Sequence, residues 1–196
     1  MTDSRAKMIT ENSQTVRTLG KGKPLLYLPD DRSAPVPQVV NKLAQTRLIA
    51  IPLRGTDTGR QTLAQLFDRS DDTRCDVIAC GHAAETALHF AALHSEMIDK
   101  VVIDTPLVAE GFTDRVFPIG ISAQMLIIVG DQAQEASVES ALALKRKFEN
   151  SHLAYVYQAT NTVIDSQPER YETVVFDFLE RGGGFVLKPD KSKATA

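Results

Sequence analysis

Asp76-Val-Ile-Ala-Cys-Gly-His-Ala-Ala-Glu85 is the part of the sequence that decides the fold. An unbroken apolar run comes first, a glycine follows, and Ala83 to His94 then place small side chains on one helical face. A run without polar alternation is typical of a strand covered on both sides of a parallel sheet. The pattern after it is typical of a helix that packs closely on that sheet. The sequence therefore predicts a strand, a tight turn and a helix in direct succession.

The same alternation continues in both directions and predicts a doubly wound α/β fold with a mostly parallel sheet. Strands are predicted at Pro24–Pro29, Leu48–Leu53, Asp76–Gly81, Val101–Asp104, Met125–Val129 and Leu153–Gln158, with a hairpin partner for the first of them at Thr15–Leu19. Helices are predicted at Pro35–Gln45, Gln61–Arg69, Ala83–His94, Glu135–Asn150 and Gln167–Arg181.

Length and composition favour one domain in a chain of 196 residues. We expect a flexible N-terminus over 1–14, a single domain over 15–187 and a disordered tail over 188–196. The net charge of −3 and the lack of a basic face argue against nucleic acid as a partner. No apolar run reaches the ~20 residues that span a bilayer, and the polar N-terminus lacks a signal-peptide core, so we expect a cytoplasmic protein that does not bind membranes.

Two cysteines, Cys75 and Cys80, lie on one predicted strand at an odd spacing. Because side chains alternate between the faces of a strand, these thiols should point in opposite directions and not form a disulfide. The cysteines and histidines lack metal-ligand spacing, and we expect no metal and no cofactor.

Cys80-Gly-His-Ala-Ala-Glu85 resembles the nucleophile elbow of the α/β-hydrolases, a strand–turn–helix written G-x-S-x-G. Leu48-Ile-Ala-Ile-Pro-Leu-Arg-Gly55 is similar to the family's strand that ends in Asp-Leu-Arg-Gly, and Gly130-Asp-Gln-Ala-Gln134 resembles the strand end that carries the acid. Gln167-Pro-Glu169 resembles the start of the last helix, so that the resemblance extends from Thr15 to Arg181. It implies an α/β-hydrolase-like domain without a lid, since Asp104 and Met125 are separated by only about twenty residues.

The resemblance implies that the catalytic triad is vacant. Its nucleophile position holds Ala83, its acid position Ala133 and its histidine position Asn161. An alanine has no hydroxyl, and an asparagine amide cannot accept and return a proton near neutral pH. Asp30 and Asp31 follow Pro29 where the family has its oxyanion-hole loop, and two carboxylates there would oppose a developing oxyanion.

Other groups could rebuild a site, and each also has a structural interpretation. His82 stands beside the empty position, Asp131 follows the strand-end glycine, and Asp165 precedes the last helix. The structural alternatives are a supporting role beside the site for His82, turn capping for Asp131 and N-capping for Asp165. The candidates for ligand binding are Pro29, Asp30, Asp31, His82, Ala83, Ala84, Asp131 and Asn161.

Besides an ordinary hydrolase whose catalytic residues occupy positions other than those named above, two functions remain open from the sequence. The first is a catalytically inactive protein that binds or assembles with another protein chain or with itself. The second is an enzyme with non-hydrolytic or rebuilt chemistry on a small carbonyl or ester compound, which would bind in the crevice at the carboxyl ends of the strands. A neutral cavity could also hold a small-molecule ligand without cleaving it.

Overall fold

A computed structural model describes residues 16–52, 66–68, 70, 72–112, 114 and 121–185. One sheet of seven strands runs through this part of the chain. The strands are β1 (Val16–Leu19), β2 (Lys23–Leu28), β3 (Arg47–Pro52), β4 (Cys75–Cys80), β5 (Ile98–Asp104), β6 (Gln124–Gly130) and β7 (Ser151–Val156). The helices are α1 (Gln38–Leu43), α2 (Ala83–Leu93), α3 (Glu135–Lys147), α4 (Val163–Ser166) and α5 (Pro168–Arg181), with single 3₁₀ turns at Ser95–Met97 and Gly182–Phe185.

The strand order is β1-β3-β2-β4-β5-β6-β7, and every neighbouring pair is parallel except β1 with β3. The predicted hairpin of the first strand with the second is therefore wrong, since β1 pairs antiparallel with β3. The cause is the turn between β1 and β2, which contains Gly20 and Gly22. Gly20 and Gly22 both have positive φ, and a Cβ at either would lie within 2.3 Å of a carbonyl oxygen of residues 44–47, which lead into β3. The turn thus carries the chain across the start of β3.

Helices cover both faces of the sheet, as the continuously apolar strands predict. α2 and α3 close one core, where Ala87, Ala91 and Leu144 are fully buried. α1 and α5 close the other core, where Val40 and Phe178 are fully buried. Cys75 lies in the first core and Cys80 in the second, and both thiols are free, which confirms their predicted opposite orientation. The doubly wound fold class is confirmed.

Element boundaries differ from the predictions mainly at helix ends. α1 begins at Gln38 because the prolines at 35 and 37 hold the preceding residues extended. A separate one-turn helix, α4, precedes α5 and was not predicted. The connection from β5 to β6 spans residues 105–123, and those of its residues that the structure describes form no lid domain. The predicted helix Gln61–Arg69, the N-terminus 1–14 and the tail 188–196 lie largely or wholly outside the described residues.

A charged network joins the amino ends of the central strands. The Asp76 carboxylate is fully buried and accepts from Arg47 Nη1 at 2.6 Å and from Lys23 Nζ at 3.1 Å. Arg47 also reaches Glu180 and the Leu179 carbonyl at the end of α5. The network fastens α5 to the end of the sheet opposite the crevice described below. No helix among the described residues has the length and apolarity needed to cross a membrane.

Candidate functional site

A crevice of about 460 Å³ opens at the carboxyl ends of the central strands. Ligands of α/β sheets bind at this edge of the fold. Four of the predicted ligand-binding residues line it, namely Pro29, Asp30, Asp31 and Asn161. Further lining comes from Tyr27, Cys80, Gly81, Thr105, Ile164 and Asp165.

The sharp turn between β4 and α2 is made at Gly81. Its φ is +55°, and its N–H donates to the Asp104 carbonyl at 3.0 Å. In a nucleophile elbow the reacting side chain stands on this strained turn residue. Ala83 instead begins α2, two residues further on, and Ala84 is fully buried in the core beneath it. Neither alanine is among the residues that line the crevice.

The Asp30 carboxylate fills the space above this turn. Its Oδ1 accepts the His82 backbone N–H at 2.8 Å, and a Cβ built on Gly81 would lie only 2.5 Å from its Cγ. In an active elbow, the N–H of the residue after the nucleophile is one of the donors that bind the oxyanion. Asp30 therefore engages that donor with its carboxylate, and a side chain at position 81 would require this carboxylate to move.

The exposed His82 imidazole contacts the same Asp30 carboxylate. Its Nδ1 is 3.0 Å from Asp30 Oδ1, and its side chain is 76% exposed. It lines a shallower groove between α2 and α3 rather than the crevice. Asp31 accepts from the Ser33 N–H and hydroxyl, and these hydrogen bonds lower the pKa of its carboxyl. The Asp31 carboxylate thus stabilises the turn in which Asp31 itself lies.

Asn161 stands on the opposite wall of the crevice, held through its backbone. The Thr105 hydroxyl donates to the Asn161 carbonyl at 2.9 Å, and Thr105 itself has a positive φ of 47°. Thr105 N–H donates to the Ile128 carbonyl at 2.7 Å, which fixes this unusual conformation. β4, β5 and the loop after β7 therefore bring Gly81, Thr105 and Asn161 to one crevice.

Asp104 anchors this wall from below. Its buried carboxylate accepts the N–H groups of Val163 and Ile164, both at 2.9 Å, and so caps α4. Burial raises the pKa of this carboxyl to about 6, while the two N–H donors and the Thr105 hydroxyl oppose the rise. The N-cap that the sequence predicted at Asp165 concerned the last helix, but that helix, α5, begins at Pro168 after Gln167 and has no side-chain capping hydrogen bond. Asp165 lies in α4 and accepts from the hydroxyl of Thr162, the residue before this helix.

The predicted acid position, Ala133, and its alternative, Asp131, are not among the residues that line the crevice. Asp131 accepts the Gln158 N–H at 2.7 Å and so ties the turn after β6 to the turn after β7. Ala133 closes the tight turn that begins at Gly130 and packs partly buried against the α2–α3 core. Asp131 therefore has the turn-stabilising contact that was its structural alternative.

The floor of the crevice combines a thiol with phenol groups. Cys80 Sγ lies 4.0 Å from Tyr27 Oη, and Cys80 is 2% exposed. Burial raises the pKa of Cys80 well above the ordinary value, so the thiol stays protonated and is a poor nucleophile. Tyr171 is fully buried nearby, and its hydroxyl has no hydrogen-bond partner among the described residues.

Glu85, which departs from the small residue that the elbow favours, has a defined partner. Its Oε1 accepts the Ala109 N–H at 2.6 Å. It thereby tethers the segment after β5 to the first turn of α2, in the groove between α2 and α3. The described residues contain no cluster of three or more histidine, cysteine or acidic side chains able to hold a metal ion.

Sequence reasoning missed Thr105, Asp104, Tyr27 and Cys80 as parts of this site. Asp104 had a usable signal, since it is the one carboxylate at the end of the apolar run Val101–Asp104. Tyr27 and Cys80 had none, because they occupy ordinary strand positions and only the strand order places them side by side.

Comparison with solved structures identifies the fold. An α/β hydrolase enzyme from the metagenome of lagoon sediments at Mar Chica, Morocco, superposes with a TM-score of 0.66 at 14% identity, over 85% of this chain and 94% of that chain. The 2-hydroxy-6-oxo-6-phenylhexa-2,4-dienoate hydrolase of Rhodococcus sp. gives 0.67 at 8% identity, over 84% and 94%. A predicted CIB-like hydrolase of Thermoplasma acidophilum gives 0.59 at 13% identity, over 80% and 86%.

No family model matches the sequence, and the search of curated proteins gives no significant match. At these low identities the structural likeness establishes the α/β-hydrolase fold, and chemistry has to be argued from the site itself.

Proposed function

We propose that this chain, which has the α/β-hydrolase fold, is a non-hydrolytic member that acts by binding, as an assembly subunit with another protein chain. One observation carries the proposal. At the elbow, Gly81 offers no nucleophile and the Asp30 carboxylate takes the His82 N–H at 2.8 Å. An acyl substrate would meet a negative charge where its transition state needs donors.

The vacant nucleophile position is then Gly81, two residues before the Ala83 that the motif indicated. Ala133 and Asn161 remain the proposed acid and histidine positions, and neither can serve as a general acid or base near neutral pH. A nucleophile, a base and an orienting acid act as one unit, so the absence of all three leaves no activated group.

Hydrolysis can be tested with p-nitrophenyl esters and with a fluorophosphonate probe that labels activated serines. We expect no turnover above buffer and no labelling for the purified chain. As a matched comparison, the Asp30→Gly/Gly81→Ser variant restores a hydroxyl and frees the His82 N–H, yet it should remain inactive because positions 133 and 161 still lack acid and base. Turnover by the unmodified chain that disappears in Asp30→Asn would contradict the proposal.

Assembly can be tested by native mass spectrometry of the protein isolated gently from its own host. A second chain at fixed stoichiometry supports the binding role and gives the partner for reconstitution from purified components. A chain that carries a small-molecule mass instead of a partner would argue for a ligand-binding role.

A second candidate function is a rebuilt acid–base site. The Asp30–His82 pair, with Oδ1 and Nδ1 3.0 Å apart at the crevice edge, is the observation that favours it. Such a pair can remove a proton from a bound carbonyl compound without a covalent intermediate. A screen for proton exchange into small ketones would test it. Exchange that survives His82→Gln would rule this candidate out.

A further inference from the structure

β7 is the last strand of the sheet, and its outer edge is open over a short stretch. The Asn150 carbonyl accepts from Met125, and the Val156 carbonyl accepts from Asp131. Since peptide groups alternate in direction along a strand, the residues between them at even positions face β6, and those at odd positions face outward.

Two side chains limit the open stretch. Lys145 Nζ donates to the Ser151 carbonyl at 2.7 Å, and Arg170 donates to the Tyr157 carbonyl. The outward N–H and C=O groups of Leu153 and Tyr155 lie between these two caps. They have no backbone partner in the part of the chain that the structure describes.

Between these two basic caps, the edge lacks the features that usually prevent strand pairing. Ser151–Val156 contains no lysine, arginine, carboxylate or proline, although such residues commonly protect exposed edges. Tyr155 is 53% exposed, and Tyr157 just beyond it is 65% exposed. An uncharged edge beside exposed aromatic rings is suited to burial against another strand.

We propose that the β7 edge is the interface of a homodimer, in which two copies pair antiparallel about a two-fold axis at Ala154. The open stretch is complementary to itself only in this register. Leu153 then stands opposite Tyr155 of the other copy as a hydrogen-bonded pair, and the axis repeats the pair, giving four backbone hydrogen bonds. The sheet becomes continuous over both chains.

The side chains fit the same register. Leu153 and Tyr155 lie on the same face of the strand, so each apolar chain covers its counterpart across the axis. Ala154 meets Ala154 as a non-hydrogen-bonded pair with Cα atoms about 4.5 Å apart, where a small residue is favourable. Because the axis runs perpendicular to the sheet, Lys145 and the other copy's Arg170 belong to opposite faces and do not oppose each other.

No residue of β7 lines the crevice, so dimer formation at this edge can be tested independently of the proposed lack of hydrolysis. Light scattering with size-exclusion chromatography should give twice the 21.5 kDa of one chain for the full-length protein. Tyr155→Lys should halve that mass, since it adds a charge at the centre of the interface. Leu93→Lys, an equally exposed apolar position on α2, should leave the dimer mass unchanged. Circular dichroism confirms that the variants fold.

A covalent test fixes the register. Ala154→Cys should form a disulfide-linked dimer under mild oxidation, because the Cα separation at the axis suits a disulfide. Cys75 and Cys80 are buried and give no background, and Leu93→Cys is the matched control that should stay unlinked. A dimer that persists in Tyr155→Lys, or one that Ala154→Cys fails to link, would overturn the proposal. So would a monomer that dimerises only after deletion of 186–196, since that result would assign the edge to the chain's own tail.

Discussion

Two separate features favour glycine at position 81. Its φ of +55° disfavours any residue with a Cβ by roughly 1–2 kcal/mol, and that Cβ would also meet the Asp30 carboxylate at 2.5 Å. We expect Gly81→Ala to lower the free energy of unfolding by about 2 kcal/mol in total. The share due to contact should disappear in an Asp30→Gly background.

Denaturant titration of the four proteins in this double-mutant cycle measures that share directly. Strictly additive changes in the free energy of unfolding would show that Asp30 does not constrain position 81.

Asp104 should give the folded protein a distinctive dependence on pH. Its pKa of about 6 lies above the value near 4 of an unfolded chain, so folding takes up a proton between these limits. Its contribution to stability is therefore most favourable below pH 4 and is lost, by up to about 3 kcal/mol, as pH rises through 6. In Asp104→Asn the group no longer titrates.

The measurement is the difference in free energy of unfolding between the wild type and Asp104→Asn, followed from pH 7 to pH 4. We expect the wild type to gain relative to the variant as pH falls. A difference that stays constant over this range would contradict the raised pKa.

The ends of β2, β3 and β4 depend on the buried Asp76 for their charge balance. Asp76→Ala would leave Arg47, which is 5% exposed, with only the outer Glu180 and a carbonyl as partners. Removing one partner of a buried ion pair costs about 3–5 kcal/mol, and we expect a loss of that size in urea titrations. Glu180→Ala is the matched control, since its carboxylate is 71% exposed and should contribute no more than about 1 kcal/mol. Equal losses would contradict this view of the network.

The elements themselves could be predicted because their signals are local. Each parallel strand is a continuous apolar run, and small residues at helical spacing predict α2. The partner of β1 was wrong because pairing depends on where the Gly20–Gly22 turn directs the chain. The turn residue with the positive φ of an elbow is Gly81, two residues before the Ala83 that the motif indicated, and no serine marks either position. The contact of Asp30 with His82 joins residues 52 positions apart, which no local pattern reports.

The reactivity of the two buried thiols reports whether the whole molecule unfolds cooperatively. Burial raises the pKa of Cys75 to about 12 and that of Cys80 well above its ordinary value. We expect native protein at pH 8 to react with a disulfide reagent only at the rate of global unfolding, and both thiols to react at once in denaturant. Fast labelling of Cys80 alone would mean that the crevice opens down to this thiol without global unfolding.

The contact of Asp30 with Gly81 also sets the order in which mutations can act. A serine at position 81 is disfavoured while the carboxylate stays, and loss of the carboxylate alone exposes a bare donor without a nucleophile to use it. Under the proposed function, directed evolution toward hydrolysis from this chain would need positions 30 and 81 to change together before any gain in activity could be selected. Because neither change is favourable on its own, the present pair of residues at positions 30 and 81 tends to be retained.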